Sequence, residues 1–130
     1  QDVLRESDYV VLLMPVTPET EIFINAERLK MMKPTAWLLN FGRGPLIVDA
    51  DLIAAVNNKT IAGAVLDVFR EEPLPASDPF WKTEGILVLP HIGGGHAKRG
   101  AVVAEIFAEN ARLYFAGEPF ATGVDRARGY

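Results

Sequence analysis

Apolar residues in this chain fall into short continuous runs, separated by polar or glycine-rich stretches and by segments with helical spacing. Residues 9–14 form one unbroken run, which suits a strand buried on both faces of a parallel sheet better than one with a wet face. Asn25 can then cap a helix that runs through Met32 and is stopped by Pro34. Residues 36–40 make a second short run, and Asp49 precedes a helical stretch in which Leu52, Ile53 and Val56 share a face. Two further runs, 64–66 and 86–89, complete the series. This alternation predicts βαβ units with right-handed crossovers and a parallel, doubly wound sheet, an α/β fold. The longest helix is expected over residues 98–116, with Val102, Val103, Ile106, Phe107, Leu113 and Tyr114 as its buried stripe and Gly117 as its stop. Gly100 weakens its first turn. Residues 118–130 carry Pro, Gly and charge without periodicity and are expected to be an extended segment packed on something else.

Composition narrows the function classes. At 130 residues, one compact unit is the default. No apolar run approaches the roughly 20 residues that a membrane helix needs, so a membrane partner is not expected. A net charge of −4, with Lys and Arg scattered among acids, offers no basic stripe for a phosphate backbone, and nucleic acid is not expected either. The absence of cysteine excludes disulfides, thiolate nucleophiles and zinc–thiolate sites, and no metal ligands are assigned. The cytoplasm is the default location. The opening Gln1-Asp2-Val3-Leu4-Arg5 has no signal or transit character and reads as the middle of a longer chain.

In open α/β sheets, ligands bind beyond the carboxyl ends of the strands. Four loops follow the apolar runs there and are expected to line one crevice: residues 15–20, 41–44, 67–72 and 91–95. In Gly42-Arg43-Gly44 the backbone can approach a ligand while the guanidinium forks onto a carboxylate, although a pairing with a surface acid would also account for the Arg. His91, at a strand end before three glycines, could present its imidazole as a general acid or be structural. A carboxylate from Arg70-Glu71-Glu72-Pro73 could hold that ring's tautomer, and chemistry alone does not choose between Glu71 and Glu72. Asp67 could accept a hydrogen bond from an amide in the crevice or cap the following turn. Gly93-Gly94-Gly95 is not a dinucleotide fingerprint, because Lys98 stands where the third glycine belongs; nor is residues 95–101 a phosphate loop, because Ala101 replaces the lysine.

Five blocks recur in order: Pro15-x-x-x-x-Thr20, Asn40-Phe41-Gly42-Arg43-Gly44, Leu66-Asp67-Val68-Phe69, Glu72-Pro73-Leu74-Pro75 and Pro90-His91-Ile92-Gly93-Gly94. Together they resemble the D-isomer-specific 2-hydroxyacid dehydrogenase family. Asp78-Pro79-Phe80-Trp81 and the terminal Val124-Asp125-Arg126-Ala127-Arg128-Gly129-Tyr130 resemble its glyoxylate/hydroxypyruvate reductase branch, in which Tyr130 would be a natural C-terminus. The resemblance implies a catalytic trio: Arg43 binds the substrate carboxylate, and His91, paired with Glu72, gives its proton to the developing alkoxide as a nicotinamide delivers hydride. It puts Asp67 against the nicotinamide carboxamide, and Pro15, Thr20, Phe41, Gly42, Arg43, His91, Gly93 and Gly94 along the cofactor.

The family's subunit is a longer, two-domain one, and its pyrophosphate-gripping strand–turn–helix would precede Gln1. The chain is therefore expected to be the second half of a doubly wound, Rossmann-like NAD(P)-binding domain (residues 1–97), followed by a linking helix and a tail (98–130) that returns to a substrate domain. The residue that separates NAD from NADP would lie outside it. The implied activity is reduction of a small 2-oxo acid, of the glyoxylate or hydroxypyruvate type, to a D-2-hydroxy acid by a homodimeric full-length enzyme. This stretch alone is expected to be nearly inactive. A non-catalytic remnant, or a corepressor-like binding module of the same fold, is the alternative; the presence together of Arg43, Glu72 and His91 favours the enzyme.

Overall fold

The computed structural model of the chain describes residues 2–128. Gln1, Gly129 and Tyr130 lie outside the described residues, so the expectations for Tyr130 and for the end of the terminal block are not addressed by it. The elements run α1 (Asp2–Glu6), β1 (Tyr9–Leu12), α2 (Ala26–Leu29), β2 (Trp37–Asn40), α3 (Asp49–Asn57), β3 (Gly63–Leu66), β4 (Ile86–Val88) and α4 (Arg99–Ala116), with 3-10 turns at Gly44–Leu46 and Pro79–Lys82. The chain divides into two compact units, one up to Gly93 and one from Gly94.

In the first unit the four strands form one parallel sheet in the order β1-β2-β3-β4. The α/β expectation is borne out, and because all strands run the same way, the loops that follow them emerge at one end. Alternation decides the two faces. Val10, Leu12, Leu38, Ala64 and Leu66 point to a buried face, where they pack with Leu29 of α2 and with Leu52 and Val56 of α3. Each fully buried Leu there contributes about 2–3 kcal/mol of transfer free energy. The opposite face corrects the reading of residues 9–14 as buried on both sides. Tyr9 is 68% and Leu13 72% exposed, and Val11 and Leu87 also lie open. A continuous apolar run reports that neither face is polar; whether a second helical layer stands over both faces depends on other segments.

Asn25 caps α2 as expected, its side chain accepting from the Arg28 amide. The regular helix ends at Leu29 rather than Met32, because the following amides of Met31 and Met32 turn to the carbonyls three residues back, a tightened last turn. In α3, Leu52 and Val56 are buried and Ile53 packs on the core from its rim. Residues 2–6 form a short helix that no apolar periodicity announced; only Leu4 reaches the core.

The second unit is α4 and the tail. Gly117 adopts the left-handed conformation (φ 70°) and closes the helix, as expected. The buried stripe is corrected: of its six residues only Leu113 is buried, and Phe107 and Tyr114 are among those exposed. Among its described residues this unit contains one helix and no second layer, so periodicity marked an apolar face without a cover. Residues 118–122 of the tail stay against its own helix. Asn110 holds it through the Ala121 amide and the Thr122 hydroxyl, and Phe120 stacks on Tyr114 with ring centroids 6.4 Å apart.

Candidate active site

Each chemical group of interest sits just past a strand. β2 ends in Asn40, whose side chain is buried to 1% exposure and fully used: its amide group donates to the Arg43 carbonyl (2.9 Å) and its Oδ1 accepts from the Gly42 amide (3.1 Å). That pair of bonds sets the bend from which Arg43 emerges. Arg43 itself is exposed, with Nη1 donating to the Gly42 carbonyl. The flanking glycines are steric requirements. A Cβ on Gly42 would lie 2.8 Å from Leu46 Cδ1 and 2.9 Å from the Met14 carbonyl oxygen, and one on Gly44 would overlap the backbone of Phe69 and Arg70. The Arg43 loop is thus pressed directly onto the loop that follows β3.

That loop carries Glu72. One carboxylate oxygen, Oε1, accepts from the Phe69 amide at 2.8 Å, and the other, Oε2, meets His91 Nδ1 at 2.7 Å. The structure therefore resolves the choice between neighbours: Glu72, not Glu71, partners the imidazole. The His91 hydrogen bond, followed by the Phe69 amide, holds the Glu72 carboxyl below its usual range against a weaker opposing effect of burial, and the Arg43 charge lowers it further. With Nδ1 on a carboxylate, Nε2 is the nitrogen left to exchange a proton with a ligand. His91 also has φ 53°, a left-handed conformation that costs a non-glycine residue energy and that recurs at functional sites.

Asp67 supports that strained position. It is 2% exposed, and its two oxygens accept from the amides of Ile92 (2.8 Å) and Gly93 (2.9 Å), the two residues after His91. Of the two sequence readings of Asp67, the structure shows the acceptor of a hydrogen bond from a crevice amide, here twice over and as a clamp on the His91 loop. A Cβ on Gly93 would stand 2.8 Å from Asp67 Oδ2 and 2.9 Å from the Phe41 ring, so Phe41, Asp67 and Gly93 meet at close quarters. Pro15 and Thr20 are joined to each other instead: the Thr20 hydroxyl donates to the Pro15 carbonyl at 2.7 Å and accepts from the Thr17 amide at 2.7 Å, a bond pattern that shapes their own loop. Gly94 opens the second unit, and a Cβ there would meet nothing within 4 Å.

Beside the His91–Glu72 pair lies a cleft of about 410 Å³ whose walls also include Phe69, Pro73, Leu74, Trp81 and residues 88–90. Its surface is mostly carbon, and the Trp81 indole nitrogen is occupied by the Pro75 carbonyl at 2.8 Å. The sequence reading missed this cleft and Asn40. Asn40 could have been found, since an Asn that closes an apolar strand run is buried and must bond to something; the cleft depends on the path of residues 73–81 and left no local signal.

Residues 1–93 match the model of the D-isomer specific 2-hydroxyacid dehydrogenase NAD binding domain. The chain belongs to this family. Within it, the chain is 45% identical over 130 residues to an uncharacterised protein of Corynebacterium melassecola, spanning all of this chain and 43% of that protein. It is 39% identical over 127 residues to glyoxylate/hydroxypyruvate reductase A of Escherichia fergusonii, covering 98% of this chain and 40% of the relative. The chain thus spans about two fifths of the length of these curated relatives. Among solved structures, a D-isomer specific 2-hydroxyacid dehydrogenase from Xanthobacter autotrophicus, in complex with NADPH and MES, superposes with a TM-score of 0.88 at 44% identity, over 98% of this chain and 52% of that one. The resemblance drawn from the five sequence blocks is borne out. Among the described residues, no helix is long and apolar enough to cross a membrane.

Proposed function

We propose that the protein carrying this chain reduces a small 2-oxo acid, of the glyoxylate or hydroxypyruvate type, to the D-2-hydroxy acid with NADH or NADPH. The observation that carries the reading is the 2.7 Å pairing of His91 Nδ1 with Glu72 at the end of a parallel sheet where Arg43 emerges from the neighbouring loop. The relative named glyoxylate/hydroxypyruvate reductase A supports the substrate class, and the neighbour holding NADPH supports the cofactor class.

The loops present suit the nicotinamide end of such a cofactor. Gly42 and Gly93 have no room for a Cβ, the first against Leu46 and the Met14 carbonyl and the second against Asp67 and the Phe41 ring, so these glycines let the strand-end loops pack closely together. Phe41, Gly42, Asp67 and Gly93 would hold that end, with Pro15 and Thr20 shaping the adjoining loop. The bound nicotinamide supplies a hydride to the carbonyl carbon. Arg43 forks onto the substrate carboxylate and fixes the face of the carbonyl that is presented. His91 donates the proton on Nε2 to the carbonyl oxygen as negative charge grows there, and Glu72 stabilises the imidazolium beforehand and keeps the ring oriented. In the reverse direction, neutral His91 takes the proton from the hydroxyl. A homodimer located in the cytoplasm, and little turnover by this stretch alone, belong to the same proposal and rest on the family likeness.

Arg43→Ala in the intact protein tests it. Loss of a charge-assisted, two-pronged contact should lower kcat/KM for the 2-oxo acid at least about a hundredfold, or about 3 kcal/mol, with the cofactor dissociation constant little changed. Unchanged kinetics would remove the anion clamp from the account.

A further inference from the structure

Arg43 and Glu72 stand on different loops, and their usefulness to one reaction depends on the distance between those loops staying fixed. The backbone contact of Gly44 with Phe69 and Arg70 presses the loops together, but contact alone does not lock their register. Arg70 reaches across. Its Nη2 donates to the Ile47 carbonyl at 2.6 Å and lies 3.5 Å from the Pro45 carbonyl, and its Nε lies 3.5 Å from Asp49 Oδ2 at the start of α3. The other edge of this segment is already occupied, because the amides of Ile22 and Ile24 donate to the Pro45 and Leu46 carbonyls and the Val48 amide donates to the Ile24 carbonyl. Arg70 therefore engages the Ile47 carbonyl, which those backbone bonds leave free, and shares the Pro45 carbonyl with the Ile22 amide, from a position two residues upstream of Glu72 and onto the segment just downstream of Arg43. Burial raises the Asp49 carboxyl while the Arg70 charge opposes that rise, so the guanidinium also offsets an unfavourable half-buried acid.

We propose that Arg70 is a positioning residue for 2-oxo acid reduction: it ties the loop bearing the carboxylate clamp to the loop bearing the partner of the proton donor, and acts through Arg43 rather than on the substrate. This rests on the role given to Arg43 above. A shift of about 1 Å between a binding group and a reacting group can cost on the order of a hundredfold in rate, so loosening this tie has a kinetic signature beyond stability.

The test is a double-mutant cycle on the intact protein, reading kcat and KM for glyoxylate and hydroxypyruvate, the cofactor dissociation constant and Tm. Arg70→Met keeps the apolar stem and removes the donors. It should lower kcat/KM for the oxo acid about tenfold with cofactor affinity within about twofold, and Arg70→Lys should recover part of the loss. In an Arg43→Lys background, which no longer forks, the same Arg70→Met change should cost less than about twofold, because the residue it positions has lost its geometry. Asp49→Asn should show the same pattern at about threefold, which keeps the inference testable if Arg70→Met does not fold. Equal losses in both backgrounds, or a lower Tm with unchanged kinetics, would reduce Arg70 to a structural residue and overturn the proposal. An Arg43→Lys variant as active as wild type would instead overturn the reading of Arg43, and the positioning role with it.

Discussion

His91 is held from three sides before any ligand arrives: by Glu72 on Nδ1, by Asp67 through the next two amides, and by its own left-handed backbone. Such restraint costs folding energy and, in the proposed role, would return it as orientation at the moment of proton transfer. Glu72 gives a pH-dependent test of this arrangement. Its folded pKa is depressed below the ordinary 4.5, so its stabilising contribution is complete above that value and is lost as pH falls through the depressed one. The stability gap between wild type and Glu72→Gln should be widest near neutral pH and close on acidification. It should stay below about 1 kcal/mol, since the pair is partly open to solvent. Chemical denaturation at a series of pH values reads it; a gap that grows on acidification would contradict the pairing.

The strand-end loops work because the elements behind them are tightly registered. β2 delivers Asn40, which shapes the Arg43 turn, and β3 delivers Asp67, which clamps the loop after β4. Gly44 is where the two delivering loops touch, so Gly44→Ala should destabilise the protein by about 1–3 kcal/mol and separate Arg43 from Glu72, lowering oxo acid turnover more than cofactor affinity. Thermal unfolding together with steady-state kinetics would show it, and a variant with wild-type Tm would mean the loops are not in contact. The strands' positions along the chain and the strand-end placement of the loops were legible in the sequence because apolar runs and polar breaks are local. The partner of His91 was not, because Glu71 and Glu72 differ only in which way the chain turns between Arg70 and Pro73. Burial was legible as a potential only: the apolar residues on one face of β1 and along α4 are exposed, since what covers an apolar face is decided by segments far along the chain.

Taken whole, the first unit is a parallel sheet with helices packed on one face and the loops bearing Arg43, Glu72 and His91 gathered at one end, and its sequence matches the NAD binding domain of the D-isomer specific 2-hydroxyacid dehydrogenases. The relatives compared above are more than twice the length of this chain. In the proposed function this chain supplies the clamp and the proton donor. Together they would fix the face of the carbonyl that receives hydride, which makes product configuration the most direct measurement. Hydroxypyruvate reduced by the intact protein with NADPH or NADH should yield the D-hydroxy acid alone by chiral chromatography, and His91→Gln should remove the activity while the folded protein still binds cofactor. Formation of the L-acid, or full turnover by His91→Gln, would contradict the account.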